Sequence, residues 1–542
     1  MLYCFNAWLV NKMAEKRVYV REASGLVRGI GALDALFICL AGIAPAAGRF
    51  LANLVVVSWP GTIIWLWLTL GAIMCAVHGF LYAQIGGALP RSGGDYILTS
   101  RTLHPAIGFM ANWALVIYMS LVIGGMVPLI NSQGLANTFW ALGLVYNNQA
   151  LIDLGFQFLT PNWIFIVGTI SIVATALLLC LPQKVWLRVF EAIMLLSISV
   201  VVVQMILFLT TTHQQFVSAW NSFPLLPSYD TVINTAAESG VTYASPAITP
   251  TLQAALLAFW LFFGYIFSAF FAGEVKEYAK SIPIAILGSL AVVYIGDIVV
   301  MGPGTAVVGD KFIAALGWLF FVTPGTLQVG LAQYDFFSTI LLPNPIWIVI
   351  VGVAMVTQMV TIFMAYLVIT SRSMFAWAFD RILPEKVAYV SEKWRSPIVA
   401  VLITFGIAEV GLVFSTYTVI PIYFNWLFAF CFVTVIASFS AILFPFVKKD
   451  IFEKAPAFVK YKIAGKVPLM SIVGAIVLGW FVFMAYSIYT VPAIAGPITP
   501  ETIAVMLGIF ALGLIVYYIS RSYRLKKEAI DIYLASKEIP PA

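Results

Sequence analysis

Charge is what this 542-residue chain has least of: Asp, Glu, Lys and Arg together make up 10% of it. Histidine is scarcer still. His78, His104 and His213 stand too far apart in sequence to form a metal site or a catalytic dyad. The five cysteines (Cys4, Cys39, Cys75, Cys180 and Cys431) mostly sit in apolar runs, with neither metal-ligand spacing nor a disulfide framework. No GxxxxGK[ST] phosphate loop, HExxH or GxSxG is present. A phosphate-loop motor, a zinc protease and a serine hydrolase are thereby excluded, and no cofactor is called for. The first eleven residues, MLYCFNAWLVN, lack the positive segment of a secretory signal. The expected start is Met13, which opens MAEKRVYVRE.

What the chain has is apolar length. It is 62% hydrophobic, with a mean hydropathy of +1.00. Between Ser239 and Gly273 there is not one charged residue. A bilayer crossing needs roughly 20 apolar residues, and the pattern predicts twelve spans: 30–57, 62–86, 105–131, 162–181, 187–210, 252–276, 283–305, 345–376, 397–416, 420–446, 469–492 and 502–520. With this layout, 27 of the 29 lysines and arginines fall on the side shared by both termini; the exceptions are Arg49 and Lys311. Cytoplasmic loops hold the Lys and Arg excess, so both termini are expected in the cytoplasm. The net charge of +6 is then a matter of orientation and implies no nucleic-acid partner. Twelve spans without a soluble domain fit a secondary transporter in the cell membrane better than a channel, which would need a filter or charged ring.

Two spans carry breaks. In CLAGIAPAAGRF (39–50), Pro45 removes a backbone donor and disfavours helix at Ala44, while Gly42 and Gly48 weaken the flanking turns. Freed backbone groups at membrane depth need protein, water or a ligand to satisfy them. A second interruption falls at FFGYIF (262–267). With spans 1–5 and 6–10 as repeats, both breaks occupy the first helix of a repeat, the sequence pointer to a transporter site. The exposed amides of one half-helix suit a carboxylate, and the carbonyls of the other suit an ammonium or Na+. A zwitterionic amino acid has both groups. The candidate substrate site is therefore Gly42, Ile43, Ala44, Pro45, Ala46, Ala47, Gly48, Phe263, Gly264 and Tyr265.

Three stretches on the terminal side carry a family likeness. They are YAQIGGALPRSGGDYILTSRTLHPAIGFMANW (82–113), GYIFSAFFAGEVKEYAKSIP (264–283) and RSMFAWAFDRILP (372–384). Together they resemble the amino acid–polyamine–organocation superfamily of permeases over about residues 28–450. The resemblance implies an all-α polytopic membrane protein of twelve transmembrane helices. Its fold would be the leucine-transporter type, a five-plus-five inverted repeat with two additional helices. The chain then divides into a cytoplasmic N-tail (1–29), repeat 1 (30–210), an outer loop (211–251), repeat 2 (252–446), spans 11 and 12 with the loop before them (447–520) and a cytoplasmic C-tail (521–542). It departs from the family pattern at Gln84, where a glutamate is usual, in the Ala-Pro-Ala-Ala-Gly loop at 44–48, and at Ile266, which is often acidic in carriers of cations.

The resemblance implies an amino acid as small-molecule substrate, with the lipid bilayer as surroundings. The missing acid at Ile266 favours a neutral or acidic one over a polyamine or other organic cation. A major-facilitator carrier would show a long loop after span 6 and a Gly-x-x-x-Asp-Arg turn after span 2, and has neither here. For a coupling ion, H+ or Na+, the candidates are Asp34, Ser197 and Thr361. Asp34 has an equal claim as a structural partner in the cytoplasmic gate. Tyr265 is the expected gate over the substrate, His78 is expected to pack against a neighbouring helix, and Glu191 to pair with Arg188. Arg49 has two readings: a salt bridge to a nearby acid, and a charge facing the vestibule above the site. The apolar stretch 311–337, interrupted by Pro324-Gly325, is expected to be a helical hairpin capping the outer vestibule.

Overall fold

A computed structural model describes residues 28–324, 326, 333–391, 394, 396–419 and 425–535. Met13 and Gly325 lie outside the described residues. Apolar composition dictates the architecture: in hydrocarbon, each spanning segment must satisfy its own backbone, and a helix does so internally. Ten helices among the described residues are long and apolar enough to cross a membrane. In chain order the elements used below are α1 (Ala32–Ile43), α2 (Phe50–Ser58), α3 (Ile64–Ala88), α4 (Asp95–Thr102), α5 (Pro105–Val145), α6 (Pro161–Leu179), α7 (Gln183–Thr210) and α8 (Ile248–Phe262). They continue as α9 (Tyr278–Val308), α10 (Asp310–Phe321), α11 (Tyr334–Leu341), α12 (Pro345–Phe379), α13 (Ile398–Tyr417), α14 (Trp426–Val447), α15 (Leu469–Thr490) and α16 (Pro500–Glu528).

Ten of the expected spans thus correspond to single long helices, and the other two, 30–57 and 252–276, are the broken ones. The stretch 311–337 contributes α10 and α11, 12 and 8 residues long, neither of which is long enough to cross. Large apolar side chains such as Ile170, Leu209, Ile346 and Ile519 stand more than 60% exposed on the outside of the bundle, a surface suited to hydrocarbon. The chain is a multi-pass membrane protein. Small residues set the closest crossings: a Cβ on Gly124 of α5 would lie 2.0 Å from the Leu412 nitrogen of α13, so only glycine permits that approach.

The three family-like stretches, far apart in sequence, meet at the face where residue 28 and the end of α16 lie, called the terminal face below. Arg372 grips Glu274 through two bonds of 2.9 and 3.1 Å, and Gln183 donates to the same carboxylate. Arg101 holds Asp380 in the same forked way, joined by the Tyr96 hydroxyl. Such forked guanidinium–carboxylate pairs fix geometry as well as charge. Main-chain bonds complete the seal, with Ile30 exchanging both of its groups with Glu274 and Lys276, and Gly93 donating to Phe270. Gln84 donates to the Phe458 carbonyl at 3.2 Å, a bond that the glutamate usual at this position could not make when ionised. Arg188 and Glu191 form the expected pair at the edge of the bundle.

Asp95 is enclosed here, accepting from the Tyr82 hydroxyl at 2.9 Å and the Asn112 amide at 3.0 Å. Burial outweighs those bonds and pushes its carboxyl up to about 6 from 3.8. Because the native state holds this proton more tightly than the unfolded chain, its stabilising contribution is present at and below the ordinary carboxylate range. It is lost as pH climbs through about 6. The melting temperature of the wild type, relative to that of Asp95→Asn, is expected to fall across this window. A pH-independent difference between the two would contradict the assignment.

Candidate functional site

The first break begins where α1 ends: Ala44 adopts a left-handed conformation, φ 53°, and its amide closes back on the Leu40 carbonyl. Pro45 follows without a donor. The Ala46 amide is taken by the side-chain oxygen of Gln358 on α12 at 3.0 Å. The chain then makes a 3₁₀ turn, Ala47–Arg49, before α2 resumes. The carbonyls of Ala41, Gly42 and Ile43, in the last turn of α1, have no acceptable donor within their own helix.

The second break is more extensive than the expected interruption. After α8, Phe263 is extended and Gly264 takes φ 128°. The remainder of the expected span is built from 3₁₀ turns at Tyr265–Ala269 and Ala272–Glu274, and no α-helix resumes before Tyr278. The reason is the close meeting of the two breaks. A Cβ on Gly264 would sit 2.3 Å from the carbonyl carbon of Gly42 and 2.5 Å from its oxygen, while one on Gly42 would strike the Phe267 ring at 2.6 Å. The two interrupted backbones therefore touch.

Aromatic rings surround this junction. Phe263 lies 4.8 Å from Trp426 and 4.9 Å from Phe430 between ring centres, and Phe267 lies 5.2 Å from Tyr366. Towards the face opposite the termini, a cavity of about 810 Å³ opens between α2, α5, α8, α13 and α14. Phe50, Tyr118, Trp260 and Trp426 line it, and Asn425 is among its few polar groups. Tyr265 differs from expectation. It is fully buried, with its hydroxyl 2.6 Å from His78 Nδ1 of α3, and is not among the residues that border the cavity, whereas Trp260 and Trp426 are. His78 packs between helices as expected.

The ion candidates separate. Ser197 and Thr361 flank the first break: Val200, one turn beyond Ser197 on α7, packs with Ala46, and Thr361 follows Gln358 by one turn on α12. Each hydroxyl donates to its own helix, Ser197 to Ile193 at 3.0 Å and Thr361 to Gln358 at 2.6 Å. Asp34 is elsewhere, capping the start of α1 by accepting from the Gly31 amide at 2.8 Å.

Arg49 takes the salt-bridge reading and does not look into the cavity. Its side chain is completely buried, bonded to Asp297 of α9 at 2.9 Å and to Gln204 of α7 at 2.7 Å, with Asp335 of α11 at 3.6 Å. Gln204 in turn donates to Asp335 at 2.7 Å. The network pins the start of α2 to three neighbours. Asp297, Gln204, Asp335 and Gln358 are absent from the sequence-derived candidates, although Asp297 carried a signal, an acid inside an apolar span. Gln358 carried only the weak one of an amide in an apolar run.

Two substitutions test this geometry. Gly264→Ala is expected to cut uptake by about 100-fold, the scale on which ångström displacements cost function, with surface expression retained; uptake near wild type would show that the breaks need not touch. Arg49→Ala is expected to destabilise the protein by about 3–5 kcal/mol by stranding two buried acids. Partial recovery is expected in Arg49→Ala combined with Asp297→Asn, measured by thermal unfolding.

Comparison with known proteins places this geometry in context. Over 127 residues, 23% of this chain, it is 31% identical to a serine/threonine exchanger of Bacillus subtilis and spans 28% of that protein. It is 24% identical to a branched-chain amino acid permease of Bacillus subtilis over 69% of this chain and 72% of the relative. The human Asc-type amino acid transporter 1 is also 24% identical, over 74% of this chain and 68% of the relative. A family model described as amino acid permease matches residues 30–515, and the chain belongs to the amino acid permease family.

Proposed function

We propose that the protein is a secondary active transporter of neutral amino acids working by alternating access, with substrate held at the two touching breaks. The single observation that carries this is the contact between Gly42 and Gly264. It sets the second break against the carbonyl end of α1, next along the chain to the start of α2, so that an ammonium and a carboxylate can be met by backbone at one place. In this reading the broken segments are spans 1 and 6 of twelve, in two inverted five-helix repeats followed by α15 and α16, with both termini cytoplasmic. The sealed terminal face and the cavity on the other side then correspond to an outward-open state.

Neutral substrates are favoured over acidic ones because the Arg49 charge is already engaged by acids and is not available to draw a carboxylate. They are favoured over cations because Ile266 is apolar and buried. The names of the relatives, a serine/threonine exchanger and a branched-chain amino acid permease, lean the same way. Ser197 and Thr361 are the residues proposed to contact a coupling ion, H+ or Na+, beside the first break.

Counterflow in proteoliposomes tests the proposal. Labelled serine or leucine is expected to accumulate against unlabelled neutral amino acid inside the vesicles, with little competition from glutamate, arginine or putrescine. Preferred exchange of arginine or putrescine would overturn the substrate class, and flux without counterflow would overturn the carrier mechanism.

A further inference from the structure

The Arg49 network is one positive charge short. Two buried carboxylates, Asp297 and Asp335, share a single guanidinium, and the fourth member, Gln204, is neutral. The other titratable groups around them, Asp310 and the Tyr334 hydroxyl bonded to Thr305, bring no positive charge. A buried carboxylate without compensation is costly, so something must supply the missing charge.

A place for it adjoins Asp335. One carboxylate oxygen is taken by Gln204, and the other, Oδ2, is buried without a partner among the described residues. Asp335 borders a cavity of about 10 Å³ that is also lined by Gln133, Asn137, Thr138 and Thr339. Gln133 is 1% exposed, and neither its amide nitrogen nor its oxygen has a partner among the described residues. It stands in a π-helical turn of α5, Ile130–Ala136, the kind of irregularity that often marks a functional site. The Thr138 and Thr339 hydroxyls donate to Gly134 and Phe336 of their own helices, which leaves their oxygen lone pairs for another partner. The cavity has about the volume of one water molecule.

We propose that this cavity is a binding site for an alkali cation, Na+ or K+, coordinated by Asp335 Oδ2, Gln133 Oε1 and the hydroxyl oxygens of Thr138 and Thr339. The donors are the hard oxygens that such ions prefer to nitrogen or sulfur. Water alone would satisfy hydrogen bonds but not the charge. A proton on Asp335 would supply the charge but offer a single donor, which can serve only one of the Gln133, Thr138 and Thr339 oxygens. The bound cation ties the π turn of α5 to α11 and, through Gln204 and Arg49, to the start of α2. This site is separate from the Ser197 and Thr361 pair and does not depend on the identity of the substrate.

Thermal unfolding of the purified full-length protein tests it, comparing NaCl and KCl with choline chloride at constant ionic strength, without substrate and above the carboxylate range. The melting temperature of the wild type is expected to rise saturably with Na+ or K+, as binding to the native state alone requires. Asp335→Asn is expected to remove the part of the rise that Thr361→Val retains, while melting in choline no lower than wild type. Gln133→Leu and Thr339→Val should each weaken the apparent affinity by about tenfold or more, and they serve as the test should Asp335→Asn fail to fold. Thr361→Val should keep the part of the response that Asp335→Asn removes. The proposal is overturned by a wild type that ignores both cations, by an Asp335→Asn variant that responds as the wild type does, by a response that vanishes wholly in Thr361→Val, or by a protein stabilised only as pH falls, which would assign the charge to a proton.

Discussion

The backbone contact between Gly42 and Gly264 is the constraint around which the rest of the molecule is arranged. Two interrupted apolar segments each expose amides and carbonyls that an apolar surrounding cannot satisfy. By meeting one another, they confine the exposed groups to one protected place. That meeting requires glycine on both sides, since a Cβ on either would overlap a carbonyl or an aromatic ring. It also explains why the second segment proceeds in 3₁₀ turns: the chain must pass around the end of α1 before it can reach Glu274 and α9.

Buried charge then holds both ends of the broken segments. On the terminal face, Arg372 fixes Glu274 just beyond the second break, and the main chain of Ile30 pairs with the same segment. Near the other end of the first break, Arg49 fixes the start of α2 to α7, α9 and α11. Ion pairs removed from water are poor sources of net stability but hold geometry well, because separating the partners strands a charge. An interrupted helix lacks the stiffness of a continuous one, and these pairs supply positional restraint from outside it.

Spans of long apolar residues were legible directly, because a helix in hydrocarbon is dictated locally by composition and length. Nine of the ten long spans follow the hydropathy, the expected 187–210, for example, being the helix Gln183–Thr210, whereas the expected 105–131 runs on through a π turn to Val145. The first break was legible from Pro45 between two glycines, since backbone geometry is a property of the residue itself. Three features depended on packing. Tyr265 adjoins the break in sequence but turns towards His78. Gln358 reaches Ala46 across 312 positions of chain. Ser197 and Thr361 lie beside the first break on two different helices.

Arg49 shows the division most clearly. The sequence by itself determined that its charge could not face lipid, because the cost of an unpaired guanidinium at membrane depth follows from the side chain and its apolar neighbours alone. It likewise determined the apolar spans and the positions of the two breaks, which are local or additive properties of residues. Which partner relieves the charge was decided only by the tertiary structure. Asp297 and Asp335 lie 248 and 286 residues away in sequence, and a Coulomb interaction depends on separation in space, to which distance along the chain is no guide.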